Sequence, residues 1–156
     1  MRERTFKKKI TKSKYQVYLF KSKLPNPLNF AKHTWFVLVK NNKICRWEVY
    51  GQDKKCKEKW GHVYKNLFKP TLGFKKKFLS SKYGNGYLVG KIKGDENSLA
   101  KKIINFIETQ SPKYTYSNKY HYVPGPNCNT YTQWILNNFP EWKIKLPRKA
   151  IGKNFK

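Results

Sequence analysis

The stretch HTWFVLVKNNKICRWEVYG, residues 33–51, decides the fold. Two runs rich in β-branched and aromatic residues flank Asn41 and Asn42, a pair that suits a two-residue hairpin turn. A turn at these asparagines pairs Lys40 with Lys43, and the ladder continues outward from there. The sequence therefore predicts an antiparallel β-hairpin in this stretch.

The same register brings polar side chains together at the open end of the hairpin. His33 falls opposite Tyr50, and Glu48 lies on the same face of the sheet as His33, one pair away along the diagonal. Side chains related in this way are close enough to interact across a strand pair. The hairpin therefore places Glu48 within reach of His33.

Further strands and two helices are predicted outside the hairpin. The strand candidates are YQVYLF (15–20), HVYKNLF (62–68) and GNGYLVGKIKG (84–94). The clearest helix lies within GDENSLAKKIINFIETQSP (94–112), where Asp95 or Asn97 can serve as the N-cap. A second helix is expected at about residues 129–138. These elements predict an α+β fold in which a small antiparallel sheet packs against two or three helices.

The composition points to one domain with an unusually high positive charge. A chain of 156 residues with a net charge of +27 attracts polyanions such as nucleic acid or an acidic protein surface. Most of the excess is lysine, which favours non-specific phosphate binding over base reading, although AT-rich codon usage also produces lysine. We interpret residues 1–14 as a basic N-terminal arm, solvated when alone, and residues 15–156 as a single domain.

Cysteine usage and hydropathy restrict the chain further. Three cysteines are too few for a disulfide scaffold and suit a reducing, intracellular setting. Their spacing relative to histidine fits no zinc site, so neither a metal nor another cofactor is expected. No apolar run is long enough for a transmembrane segment, and the basic N-terminus lacks the apolar region of a secretory signal.

Cys128, in the stretch VPGPNCNTYTQWILNNFP (123–140), is a candidate nucleophile. It lies at the start of the second predicted helix, where free N–H groups stabilise a thiolate. His33 can supply the base from the sheet, Glu48 can orient the imidazole, and helix amides near Asn129 can hold an oxyanion. A cysteine on a helix tip beside a histidine on a sheet is the papain-like arrangement.

Other interpretations of the same residues remain open at the level of the sequence. Cys128 can be a small buried residue in a turn, as single cysteines often are. His62 and His121 are rival bases, and His121 lies only seven residues before Cys128. Glu48 can pair with a lysine instead of orienting a histidine.

Four motifs in order resemble an uncharacterised domain family known mainly from bacteria. They are the HTW at His33, the RWEV at 46–49, the GPNCNT at 125–130 and the closing LPRKAIGK at 146–153, and the resemblance covers roughly residues 31–155. Serine commonly occupies the position of Cys128 in that family, so the resemblance implies a position that accepts either a cysteine or a serine side chain. More distantly, the order of histidine before cysteine is similar to permuted NlpC-type papain-like enzymes, including the lecithin retinol acyltransferase group. That likeness implies a permuted papain-like fold.

Two functions are consistent with these observations. The first is a thiol hydrolase or acyltransferase that uses Cys128, His33 and Glu48. The second is a highly basic structural or assembly protein, such as a minor capsid protein of a virion or a ribonucleoprotein component, that binds nucleic acid or acidic protein surfaces.

Overall fold

A computed structural model describes residues 1–75, 77 and 82–156 of the chain and shows an α+β protein. Within those residues, the elements are α1 (Glu3–Lys7), β1 (Tyr15–Lys23), β2 (Lys32–Lys40), β3 (Lys43–Val49), β4 (Glu58–Trp60), β5 (Val63–Lys65), β6 (Leu72–Lys75), β7 (Tyr83–Asn85), β8 (Tyr87–Gly94), α2 (Leu99–Gln110) and α3 (Cys128–Asn137). Short 3₁₀ turns occupy Leu28–Phe30, Ser111–Lys113 and Pro140–Trp142.

The described strands form one antiparallel sheet in the order β4-β5-β3-β2-β1-β8, and β6 pairs with β7 in a small second sheet. The predicted α+β class, with a small antiparallel sheet and helices packed against it, is confirmed. The strands β3, β2 and β1 are therefore neighbouring interior strands of the six-stranded sheet.

The predicted hairpin is present, in the predicted register. Lys40 pairs with Lys43, and Asn41 and Asn42 have φ of +48° and +63°. Two consecutive positive φ values match the right-handed twist of the flanking strands, which is why asparagine suits both positions. The turn chemistry thus fixes the register of β2 and β3 and the face that each side chain occupies.

The two faces of the sheet carry separate apolar clusters. On one face α2 and α3 cover the inward side chains of β1, β2 and β3, which include Val17, Leu19, Phe36, Leu38, Trp47 and Val49. The opposite face carries Tyr18, Phe20, Trp35, Val37 and Val39, and Phe6 of α1 packs onto it. Phe6 is fully buried, with its ring 4.9 Å from that of Tyr18 and 5.7 Å from that of Phe20. The basic arm therefore covers the second face of the sheet.

Both longer helices begin at a side-chain cap. The N-cap of α2 is Ser98, so the prediction of Asp95 or Asn97 is wrong. The Asp95 carboxylate instead accepts the backbone N–H of Lys14, and its carbonyl accepts the Ser98 hydroxyl. Asn127 caps α3, which makes Cys128 the first residue of that helix, one residue earlier than predicted.

Candidate functional site

His33 and Glu48 form a buried pair at the open end of the hairpin. His33 Nε2 lies 2.9 Å from Glu48 Oε2, and neither residue is more than 1% exposed. Because an ionised carboxylate can only accept hydrogen bonds, Nε2 donates here. The contact that the hairpin register predicts is therefore present.

Arg46 completes the pair as a buried counter-ion. Its Nη2 donates to Glu48 Oε2 at 2.7 Å, and its Nε lies 2.7 Å from Oε1. Nη1 donates to the carbonyls of Lys69 and Leu72 at 3.0 and 2.5 Å, and the guanidinium lies 4.2 Å from the centre of the Trp35 ring. Arg46 thus holds Glu48 ionised and ties the segment before β6 to the sheet.

The electrostatics favour a charged pair at His33 and Glu48. Burial alone would lower the pKa of His33, but hydrogen bonds and charge from Cys128 and Glu48 outweigh it and raise that pKa to about 9. Burial alone would raise the pKa of Glu48, and the charges and hydrogen bonds of Arg46 and His33 lower it below its usual value. Because Cys128 contributes to the shift at His33, it lies near the imidazole, and the structure brings the three predicted site residues into one region.

The first turn of α3 is fastened to the strand that carries His33. The Thr34 hydroxyl donates to Asn129 Oδ1 at 2.9 Å, and Asn129 Nδ2 donates to the Lys32 carbonyl at 2.9 Å. These bonds hold the chain on both sides of His33. Cys128 directly precedes Asn129 and is therefore held near His33.

The C-terminal segment supports the same helix turn from behind. Asn129 Nδ2 also donates to the Ile151 carbonyl at 2.8 Å, and the Thr130 hydroxyl donates to the Gly152 carbonyl at 2.7 Å. Gly152 has φ of +91°, and a Cβ there would lie 2.3 Å from Asn127 Nδ2, so this position requires glycine. The four motifs found in the sequence therefore meet at one place.

Asn127 caps α3 and thereby occupies some of the backbone N–H groups that could bind an oxyanion. The N–H groups of Asn129 and Thr130 both bond to Asn127 Oδ1, at 2.9 and 3.4 Å, so neither is free to bind an oxyanion. The N–H of Cys128 makes no hydrogen bond within residues 1–75, 77 and 82–156. It is therefore the backbone donor at this helix start that has no protein partner among the described residues.

A family model described as "Protein of unknown function (DUF3750)" matches residues 14–155. The chain belongs to the DUF3750 family. This confirms the resemblance to an uncharacterised domain family that the four motifs indicate. No curated protein and no solved structure matches the chain, so the permuted papain-like fold stays a prediction. The match leaves α1 outside the family's range.

The other two histidines of this DUF3750 chain lie in different surroundings. His62 Nδ1 donates to the Tyr50 carbonyl at 3.0 Å, and its ring lies 5.6 Å from that of Tyr120. His121 is exposed. Neither is held by a carboxylate in the described part of the chain, whereas His33 bonds to Glu48 and interacts electrostatically with Cys128.

Three residues near the site were not among the predicted site residues, although Arg46 belongs to the RWEV motif. Arg46 lies two positions before Glu48, and the period of two along a strand was the signal that could have identified it. Tyr114 and Tyr120 come from an aromatic-rich connector that carries no such signal. Burial raises the pKa of both tyrosines, and an electrostatic interaction with Cys128 contributes to each shift. The Tyr114 hydroxyl is buried and has no hydrogen-bond partner among the described residues.

The residues that the structure describes contain no group of three or more His, Cys, Asp or Glu side chains placed to hold a metal ion. None of the helices in the same part of the chain is sufficiently long and apolar to cross a membrane. All three cysteines are free.

Proposed function

We propose that this DUF3750 domain is a thiol-dependent hydrolase or acyltransferase. Cys128 is the nucleophile, His33 accepts its proton, and Glu48 orients the imidazole. The observation that carries the proposal is the position of the His33 ring, which bonds to the Glu48 carboxylate at 2.9 Å on a strand that Thr34 fastens to Asn129, the neighbour of Cys128. A nucleophile, a base and an orienting group in contact are the parts that covalent acyl transfer needs.

The geometry assigns a role to each nitrogen of His33. Because Nε2 donates to Glu48, Nδ1 is left to take the proton from Cys128. The raised pKa of His33 means that the ring keeps this proton at neutral pH, next to a carboxylate that stabilises the imidazolium. We assign the oxyanion to the Cys128 N–H at the start of α3, which makes no hydrogen bond among the described residues.

The reaction follows from these roles. Cys128 gives its proton to His33, and its sulfur bonds to the carbonyl carbon of an ester or amide. His33 gives the proton to the leaving group, the bond from that group to the carbonyl carbon breaks, and a thioester remains. Water, or an acceptor alcohol or amine, then passes a proton to His33 and attacks the thioester. The carbon–sulfur bond breaks, and His33 returns the proton to Cys128.

Alkylation of Cys128 tests this proposal. We expect iodoacetamide to label Cys128 in the folded protein without denaturant, and His33→Gln to slow labelling by about tenfold or more, because the base is lost. Peptide mass spectrometry follows the rate. His62→Gln is the matched control and leaves the rate unchanged.

Cys45 reports on unfolding in the same digest. Its thiol is largely buried, and burial raises its pKa to about 11, so it reacts slowly while the protein is folded. Labelling of Cys128 that needs denaturant, or that falls equally in the two histidine variants, contradicts the proposed mechanism.

A lysine cluster favours a second function, the binding of nucleic acid. Lys23 lies directly opposite Lys32 on the paired strands β1 and β2. Burial and then the charges of Lys23, Lys149 and Lys21 lower the pKa of Lys32. Like charges placed opposite each other cost stability, and a phosphate backbone would offset that cost. Such a surface suits a ribonucleoprotein or virion component inside a reducing compartment.

Salt dependence tests this second function. We expect duplex DNA or RNA to bind with an affinity that falls steeply as salt increases, and Lys23→Gln to reduce the slope of log affinity against log salt by about 1. Lys119→Gln, a change at an exposed lysine outside the cluster, is the control. Equal slopes for the two variants, or no binding at low salt, contradict it.

A further inference from the structure

We infer that a cavity beside the Cys128 site binds an apolar acyl group that carries an anion, which names the substrate class of the proposed enzyme. The inference rests on the proposed function for its chemical step only. The cavity has a volume of about 560 Å³, within the usual range for small-molecule sites. Its walls are mainly apolar and aromatic, and include Leu24, Leu28, Phe68, Phe74 and Tyr83.

Two side chains connect the cavity to His33 and its partners. Phe74 lines the cavity and packs edge-on against the His33 ring, with 4.8 Å between the ring centres. Arg46 also lines the cavity while it pairs with Glu48. The inner wall of the cavity is therefore one side chain away from the imidazole.

A tyrosine pair connects the cavity to Cys128. Tyr122 lines the cavity, and its ring centre lies 5.1 Å from that of Tyr120. Tyr120 packs so tightly against Gly51 that a Cβ there would lie 2.4 Å from the ring. Cys128 interacts electrostatically with Tyr120, and Phe74 in the cavity wall packs against His33 at 4.8 Å, so this end of the cavity is the one nearest the site. An acyl group in the cavity would place its carbonyl carbon at this end.

The charges around the cavity select an anionic ligand. The described lining residues that carry charge are Arg46, Lys54 and Lys75, and no described carboxylate lines the cavity. Glu48 neutralises Arg46, but neither Lys54 nor Lys75 forms an ion pair in the described part of the chain. Lys75 lies 5.8 Å from the centre of the Tyr83 ring, and neither it nor Lys54 has a described carboxylate partner, so the walls fit a ligand with an apolar body and one anionic group.

The cavity wall has few neutral hydrogen-bonding side chains, which disfavours ligands that are more polar than an acyl group. Gln52 and the hydroxyls of Tyr50, Tyr83 and Tyr122 are the neutral polar side chains among the described lining residues. A sugar or an extended peptide buried here would lose more hydrogen bonds to water than these groups replace. The apolar body of an acyl chain or an aromatic acyl group makes no hydrogen bonds to water and therefore loses none.

Two fluorescent probes that differ by one sulfonate test the cavity. We expect 8-anilinonaphthalene-1-sulfonate to bind the full chain saturably at one site, and its neutral counterpart N-phenyl-1-naphthylamine to bind at least tenfold more weakly. Leu28→Asp puts a negative charge into the wall and should weaken sulfonate binding at least tenfold. Phe30→Asp is the matched control, because Phe30 belongs to the same 3₁₀ turn, is 48% exposed and does not line the cavity. Its affinity should stay within twofold of wild type.

Absence of saturable binding, equal affinity for the two probes, or equal loss in the two aspartate variants overturns the ligand class. The placement beside Cys128 has its own readout: the saturating sulfonate probe should slow iodoacetamide labelling of Cys128 at least fivefold. A bound probe that leaves the labelling rate unchanged overturns the placement. Should Cys128 prove unreactive in the free protein, the proposed function fails, and the probe titration, which needs no reaction, still decides the cavity.

Discussion

Replacement of Glu48 by glutamine is expected to destabilise the folded protein by about 3–5 kcal/mol, the usual cost of removing one partner from a buried ion pair. Glu48 is fully buried and meets Arg46 through both carboxylate oxygens, at 2.7 Å each. Glutamine keeps the shape but removes the charge. The guanidinium, itself 1% exposed, is then left in the interior without a counter-ion.

Urea denaturation at pH 7 measures this loss, and Glu108→Gln is its control. Glu108 pairs with Lys40 at 2.7 Å, but both side chains are partly exposed, so the control should lose less than about 1 kcal/mol. The pKa of His33, followed by NMR of the imidazole, should fall in Glu48→Gln alone, because Glu48 raises it. Equal destabilisation by the two substitutions would show that the buried ion pair contributes no more to the free energy of unfolding than the surface pair does.

The hairpin and the His33–Glu48 pair could be predicted because their causes are local. Consecutive asparagines allow the positive φ values that a two-residue turn needs, and the turn then sets the register. Side chains alternate between the two faces along a strand, and this alternation puts Glu48 on the same face of the sheet as His33. No information from outside residues 33–51 was needed.

Contacts between distant segments could not be predicted in this way. Thr34 and Asn129 are separated by 95 positions, and Arg46 reaches the carbonyls of Lys69 and Leu72 across a segment without a repeating pattern. The N-cap of α2 shows the same limit on a smaller scale. Asp95 is a good capping residue by type, but its carboxylate is occupied by the N–H of Lys14, 81 positions away.

The convergence of the four motifs does not by itself separate stability from catalysis. Thr34, Asn129 and Gly152 have structural tasks that would require them in an inactive protein as well. His33 differs, because an apolar ring could pack at this position equally well. Packing alone therefore does not require a fully buried imidazole with a raised pKa. A His33→Gln variant that folds normally and loses Cys128 reactivity would therefore assign the site to chemistry.

Phe6→Ala is expected to destabilise the protein by about 3–5 kcal/mol, as for other buried phenylalanines. Phe6 is the one aromatic residue in the first fourteen, so no periodic pattern marks it, and charge alone suggests a solvated arm. In the structure its ring is completely buried and packs edge-on against Tyr18 and Phe20. Without it, the apolar face that also includes Trp35 and Val37 would open to water.

Thermal and urea denaturation measure the effect, with Phe30→Ala as the control. Phe30 is 48% exposed and lies outside both apolar clusters, so its loss should change stability by less than about 0.5 kcal/mol. If both variants are as stable as wild type, residues 1–14 are a free basic tail, available to a polyanion. If Phe6→Ala alone is destabilised, the arm is part of the folded unit, and its lysines are presented from a fixed surface. The same measurement thus decides whether the charge at the N-terminus acts as a flexible tether or as a patch of defined geometry.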